Sequence, residues 1–359
     1  MMRIEVRPVW RFRSLAEAEF DFQLVTILER IEATSKLTEA ARAAGVSYRH
    51  AWNLIARWEA FFGAGLVQKE RGRGTRLTAV GRRLLWAARR AQARLAPELD
   101  NLAADFARAL NESLDAPQPC LVLHASHDFA IGALREITRG DMPLEVQYKG
   151  SFDALAALRR GECDVAGFHV PEGRVGEVLA RRYAECLPPD DYRLIGFVRR
   201  QQGLIVRAGN PKKIGGVADL CRDDVRMVNR QRGSGTRALL EFMISLEGLD
   251  RARMRGYDSE EVTHSAVATL IAGHQADVGF GVHEAAAHYG LGFVPVCHER
   301  YYFACAAQAL GSPALTGLLR ALRGAQFAQR VASLAGYSAP EAGRVIASLD
   351  AKALALAAP

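Results

Sequence analysis

Between Lys36 and Phe62 the chain spells two short helices broken by a glycine and a serine, and few folds accept that order. The alanine-rich run Lys36-Leu37-Thr38-Glu39-Ala40-Ala41-Arg42-Ala43-Ala44 ends at Gly45, a residue suited to the positive φ of a tight turn. Ser47 then stands where a helix N-cap belongs. This is helix-turn-helix grammar, and Phe20, Leu24, Ile27, Leu28 and Ile31 supply an amphipathic helix ahead of it. In the second helix Ala51, Ile55, Trp58 and Phe62 share one stripe and face a core. Tyr48, Arg49, Trp52, Asn53 and Ala56 are left on the opposite face, beside Ser47 at the N-terminal end, where a recognition helix presents its base-reading side chains. Arg and Asn can bond bidentately to guanine and adenine, and Tyr and Trp can reach phosphate or a thymine methyl.

Charge agrees with this placement. From Lys36 to Arg94 thirteen Lys and Arg face three Glu, an excess of ten against +7 for the whole chain, so everything outside this stretch is net acidic. A basic segment on an otherwise balanced protein is the footprint of a polyanion, here double-stranded DNA. Lys69 to Thr78 alternates cations with glycines between two extended pieces, which predicts a two-stranded wing with Arg71, Arg73 and Arg76 along phosphates or in the minor groove. Thr78 then opens a long helix in which Leu84, Ala88, Ala91, Leu95, Leu99, Leu102, Phe106 and Leu110 recur by threes and fours. Burial against the protein's own body would use the same pattern. A homodimer seam is the preferred reading, because two-fold DNA readers need one, and pairing of dimers into tetramers stays open. Pro97 predicts a kink or break near Ala96.

The stretch from about Leu24 to Leu85 resembles the winged helix-turn-helix shared by LysR-type and molybdate-responsive ModE regulators. The resemblance is carried by Leu37-Thr38-Glu39-Ala40-Ala41, Gly45-Val46-Ser47-Tyr48, Trp58-Glu59, Phe62-Gly63, Leu66-Val67, and Leu77-Thr78 with Gly81. The run Ser47 to Trp52 is closer to the ModE version.

A length of 359 residues suits two domains, and Asp115-Ala116-Pro117-Gln118-Pro119 reads as the linker. The expected organisation is a winged helix-turn-helix over 1–80, a linker and dimerisation helix over 81–114, and a ligand-sensing domain over 118–359. At 49% apolar residues the chain can build real cores, which excludes disorder as its main state. No run approaches the roughly 18 apolar residues of a membrane span, and the first residues lack a secretory signal, so a cytoplasmic protein with no membrane partner is expected. The six cysteines are scattered and read as reduced thiols.

After the linker, short apolar strands alternate with helices. Leu121 to His124, Leu144 to Tyr148 and Asp164 to Phe168 are strands; Ala130 to Thr138 and Phe152 to Arg160 are helices. That order predicts α/β structure with a largely parallel sheet. Two runs, Leu194 to Val198 and Gly203 to Arg207, suggest that the chain crosses between lobes. The segment Val228 to Arg237 joins a strand to a helix through Arg232-Gly233-Ser234-Gly235-Thr236, offering free N–H groups, two hydroxyls and nearby arginines to an anion. It lacks the spacing of a nucleotide P-loop. Ser126-His127-Asp128 and Gly150-Ser151 repeat the plan at strand ends, so three loops are expected to converge on one crevice. Ordinary N-capping is the alternative for any one of them.

This half resembles the two-lobed, type II periplasmic-binding-protein-like domain that some bacterial regulators fuse to a ModE-type DNA-binding domain, related to molybdate- and tungstate-binding proteins. The carrying residues include Ser126-His127-Asp128, Gly150-Ser151, His169, Arg200-Gln201-Gln202-Gly203, Asn229 to Arg237, Thr263-His264 and Glu299-Arg300-Tyr301. The fold expected is therefore an all-α winged helix-turn-helix with a long linker helix, followed by an α/β two-lobed domain. The function implied is a ligand-responsive transcription regulator that binds an operator as a dimer and senses molybdate or tungstate; the alternative effector is an organic anion, a carboxylate or a molybdopterin-like phosphate. Candidate ligand residues are Ser126, His127, Ser151, Arg232, Gly233, Ser234, Gly235, Thr236, Arg237 and Tyr301, the last as a lid donor. No cofactor beyond the effector is expected. The histidines between His264 and His298 match no metal-ligand spacing and read as structural. Ser126-His127-Asp128 cannot form a hydrolytic relay from adjacent positions, so no enzyme is expected.

Overall fold

The computed structural model describes residues 4–13, 17–70, 74–113, 120–140, 142–188 and 190–346, which fall into two compact units, Arg7–Ala93 and a larger one from Arg94 onward. In the first, a hairpin of β1 (Arg11–Arg13) and β2 (Glu17–Glu19) precedes α1 (Gln23–Thr34), α2 (Leu37–Ala43) and α3 (Tyr48–Phe62). β3 (Val67–Glu70) and β4 (Gly74–Leu77) pair antiparallel as a wing, and α4 (Ala79–Ser113) follows. The unit is a winged helix-turn-helix but carries two hairpins, so it is not all-α. Gly45 takes φ +68° at the turn, and Ser47 Oγ accepts the His50 N–H at 3.1 Å, as an N-cap does. Leu24, Ile27, Leu28, Ile31, Ala51, Ile55 and Trp58 form the core. The first hairpin adds aromatic rings to it: Phe20 and Phe12 lie 4.9 and 5.7 Å from Trp58. A β-carbon on Gly81 would stand 2.1 Å from the Leu66 carbonyl oxygen, so the start of α4 requires glycine where it meets the wing.

α4 is helical on both sides of Pro97; the break expected near Ala96 is absent. Proline withholds one N–H and the rest of the ladder continues. The apolar seam divides along the helix. Leu84 and Ala88 belong to the core of the first unit, whereas Leu95, Leu102, Phe106 and Leu110 are exposed.

The larger unit runs β5 (Leu121–Ala125), α5 (Phe129–Ile137), β6 (Leu144–Tyr148), α6 (Ser151–Arg159), β7 (Val165–Pro171), α7 (Arg174–Cys186) and β8 (Tyr192–Val206). Then come β9 (Met227–Arg230), α8 (Gly235–Leu246), β10 (Glu260–Glu261), α9 (His264–Ala272), β11 (Val278–Val282), α10 (His283–His288) and β12 (Gly292–Ala306). Helices α11 (Pro313–Arg323) and α12 (Ala325–Ala332) and short strands β13 (Tyr337–Ser338) and β14 (Val345–Ile346) complete it. The sheet order is β10-β9-β11-β8-β12-β7-β5-β6, with β13 and β14 also on β8. Strands are parallel within each lobe, β5 with β6 and β7, and β9 with β10 and β11. β8 and β12 run antiparallel through both lobes. The two runs expected around Leu194 and Gly203 are one fifteen-residue strand, because the polar side chains between them find buried partners. The expected linker at Asp115–Pro119 lies outside the described residues.

The second half of α4 packs along β6. Asn101 Nδ2 donates to the Tyr148 carbonyl at 3.2 Å while its Oδ1 accepts the Tyr148 N–H at 2.7 Å. Arg108 pairs with Glu145, Arg135 with Asp100 at 2.9 Å, and Gln147 donates to Asp105 at 2.6 Å.

Candidate functional site

In the first unit Tyr48, Arg49, Asn53 and Ala56 are exposed on α3, and Trp52 is half-buried. The wing is tied to this helix by Lys69, whose ammonium lies 4.6 Å from the Trp52 ring centroid, and by Glu59, whose carboxylate accepts the N–H groups of Leu66 and Val67 at 2.7 and 3.1 Å. Arg76 projects from β4 and pairs with Glu70 at 3.4 Å. Arg71 and Arg73 lie outside the described residues.

In the larger unit a cleft of about 370 Å³ opens at the carboxyl ends of the parallel strands. Ser126 and His127 line it from the loop after β5, Gly150 from the loop after β6, and Arg232, Gly233, Ser234, Gly235 and Thr236 from the loop after β9. A methyl on Gly150 would stand 3.8 Å from the Gly233 carbonyl, so loops of the two lobes meet across the opening. Ser234 caps α8, accepting the Arg237 N–H at 3.2 Å, and Thr236 Oγ1 accepts from Gln202 at 3.2 Å. Both hydroxyls thus keep a proton to donate. The Ser126 hydroxyl instead donates to the Lys149 carbonyl at 3.3 Å, and Ser151 is buried and bonded to Tyr183. Asp128, not a serine, caps α5, and Gly150 precedes α6 without a side-chain cap.

Besides Ser151, two further candidates stand away from the cleft lining. Arg237 is buried against Glu241 at 2.7 Å and Glu260 at 3.4 Å, with its guanidinium 4.3 Å from the Tyr257 ring centroid. Tyr301 is no lid: it lies beneath the loop after β5, donates to the Ser126 carbonyl at 3.3 Å, and meets the His169 ring edge-on at 3.7 Å. Arg232 lines the mouth, largely exposed, 3.3 Å from Glu260.

Residues that the loop motifs did not single out form the floor. Arg200, 1% exposed, is held between Asp128 and Glu299, and Tyr337 donates to Asp128 at 2.8 Å. Arg230 lies in the same floor but, among the described residues, donates only to the carbonyls of Glu261 at 3.3 Å and Val262 at 2.9 Å. Among the described residues no carboxylate is within ion-pair distance of it, and burial pushes its pKa down to about 10, still cationic at neutral pH. His169 and His264, 7% and 4% exposed, also line the cleft. Among the described residues neither ring nitrogen of His169, nor Nδ1 of His264, has a hydrogen-bond partner. Burial, with Arg200 and Arg230 nearby, holds both imidazoles neutral well below the usual histidine range. The available signal was their place among the residues that carry the resemblance to the periplasmic-binding-protein-like domain.

These histidines set a pH dependence. Burial also lowers the buried His124 to about 4. Each is neutral in the folded state and titrates near 6.5 once unfolded, so none affects stability above pH 7. As pH falls below about 6.5 the unfolded chain takes up protons the native state refuses, costing up to about 1.4 kcal/mol per pH unit for each group. The thermal unfolding midpoint is expected to drop steadily from pH 7 to pH 5; a flat midpoint would show that the imidazoles are not held neutral.

Among the described residues no group of three or more His, Cys, Asp or Glu is arranged to hold a metal ion, all six cysteines are free thiols, and no helix is long and apolar enough to cross a membrane.

The chain joins a winged helix-turn-helix unit to a two-lobed α/β unit with a polar cleft. Residues 22–82 match the family model of bacterial regulatory helix-turn-helix proteins, lysR family, and residues 134–323 match the PBP superfamily domain. The chain belongs to the PBP superfamily. It is 32% identical over 200 residues to the uncharacterized protein YvgK of Bacillus subtilis, a match spanning 56% of this chain and 64% of that protein. A second relative, an uncharacterized protein from the 5′ region of a ferredoxin 2Fe-2S gene of Clostridium pasteurianum, is 28% identical over 112 residues, 31% of this chain and 99% of that one. Among solved structures, an OxyR mutant of Corynebacterium glutamicum superposes with a TM-score of 0.43 at 14% identity, covering 86% of this chain and 93% of that one. CbnR, a LysR family transcriptional regulator, gives 0.38 at 16% identity, covering 87% and 99%.

Proposed function

We propose that this protein is a cytoplasmic, DNA-binding transcription regulator whose cleft takes a small anion, and that it acts by binding rather than catalysis. The observation that carries the effector reading is Arg230, a buried cation facing the cleft with no ion-pair partner among the described residues. An uncompensated buried charge is costly, and an anion in the cleft relieves that cost. The hydroxyls of Ser234 and Thr236, the N–H groups of their loop and the N-terminus of α8 supply neutral donors around it. Molybdate or tungstate is the first effector expected. The size of the cleft favours a second reading: a tetrahedral oxyanion displaces only a few waters of about 30 Å³ each, and the cleft of about 370 Å³ has room for an organic anion such as a carboxylate or a molybdopterin-like phosphate.

DNA is engaged by the exposed face of α3 and by the wing. The exposed Leu95, Leu102, Phe106 and Leu110 on α4 provide the seam for a homodimer. Micromolar molybdate or tungstate is expected to raise the thermal midpoint of the full chain, and Ser234→Ala with Thr236→Ala is expected to remove at least 90% of that shift while DNA binding persists. A flat response to molybdate, tungstate, sulfate and phosphate would reject the inorganic effector. An organic mass retained by the protein from its own cells in native mass spectrometry would then assign the second reading.

A further inference from the structure

The cleft has a wall that does not come from the two lobes. Arg94, Leu95, Pro97, Glu98 and Asn101 of α4 line the same space as Arg230, His169 and Ser234. Asn101 fixes this stretch of helix to β6 through both atoms of its amide, so the wall has a defined position in the larger unit. Arg94 is more than half exposed and reaches Glu261 only at 3.7 Å, a distance for a loose ion pair. Glu261 is itself 2% exposed and is paired in register with Arg230 across β10 and β9. Glu98, one turn further along α4, is an exposed carboxylate at the same wall.

We propose that helix α4 is part of the effector site: an anion held by Arg230 also engages the guanidinium of Arg94 and draws it from Glu261, while Glu98 opposes the anion's charge. The inference rests on the anionic-effector reading above. Binding is then felt directly by the helix that runs unbroken from Ala79, in the DNA-reading unit, to Ser113. The coupling needs no intermediary element, since the ligand's preference for one setting of α4 is itself the differential affinity that shifts the equilibrium.

The test is isothermal titration of the full chain with molybdate, tungstate, sulfate and phosphate, comparing wild type, Arg94→Ala and Glu98→Gln. The two substitutions should move affinity in opposite directions: Arg94→Ala weakens binding about tenfold through loss of a charge-assisted bond, and Glu98→Gln strengthens it about threefold by removing a like charge. General damage to the fold cannot produce that opposition. Hydrogen exchange of the wild type should show added protection at the amides of 94–101 when the binding anion is present. If the wild type binds and both variants match it, the wall is structural only and this proposal falls while the effector reading stands. If the wild type binds none of the four anions, the inorganic-effector reading falls and this proposal with it.

Discussion

Replacing Arg200 with methionine is expected to lower the unfolding free energy by about 3–5 kcal/mol, the cost of breaking a buried ion network from one side. Arg200 is held by Asp128 from the start of α5 and by Glu299 from β12, with Tyr337 donating to the same Asp128. Without the guanidinium the carboxylates of Asp128 and Glu299 remain buried with no cation between them. Chemical denaturation at pH 7 measures the loss. A cost below about 1 kcal/mol would mean that water reaches the cluster and that the floor of the cleft is softer than its packing indicates.

The second large effect belongs to the other unit. Arg49→Ala combined with Asn53→Ala should reduce affinity for DNA selected by the wild-type protein from a random pool by about a hundredfold or more, each bidentate base contact being worth roughly 1–3 kcal/mol. Both side chains are exposed on α3, and the stripe that builds the core, Ala51, Ile55 and Trp58, is untouched. The thermal midpoint and the anion response should therefore stay as in the wild type. Gel-shift titration at fixed salt reads the effect, and an unchanged affinity would move base reading to another surface.

Local rules made much of the architecture legible. Gly45 and Ser47 mark the turn and the cap within three residues of one another, and neither depends on the rest of the chain for its meaning. The alternation of short strands and helices similarly exposes the α/β unit, and strand-end glycines and serines point to its loops. The floor of the cleft is different. Arg200 and Gln202 lie on β8, where polar residues in a strand read as solvent-facing; only partners 72 and 99 positions away from Arg200, Asp128 and Glu299, turn it inward. The loop motif points to Arg232 and Arg237 and not to Arg230, yet Arg237 and Arg232 are the ones with acidic neighbours. The first hairpin was missed because three-residue strands carry too little periodicity. Arg94, Glu98 and Asn101 fall between the apolar positions of a seam, a pattern that says which side of a helix is greasy and nothing about what its polar side touches.

Asn101 has one more consequence. β6 is the last strand of its sheet, and a terminal strand offers bare N–H and C=O groups to which any extended peptide can add. The side-chain amide of Asn101, with one donor and one acceptor set on the backbone of Tyr148, occupies that rim as a residue of a neighbouring strand would. A helix that joins one unit to the next therefore also serves as a guard against unwanted strand addition. A chain cut within its linker would lose that guard.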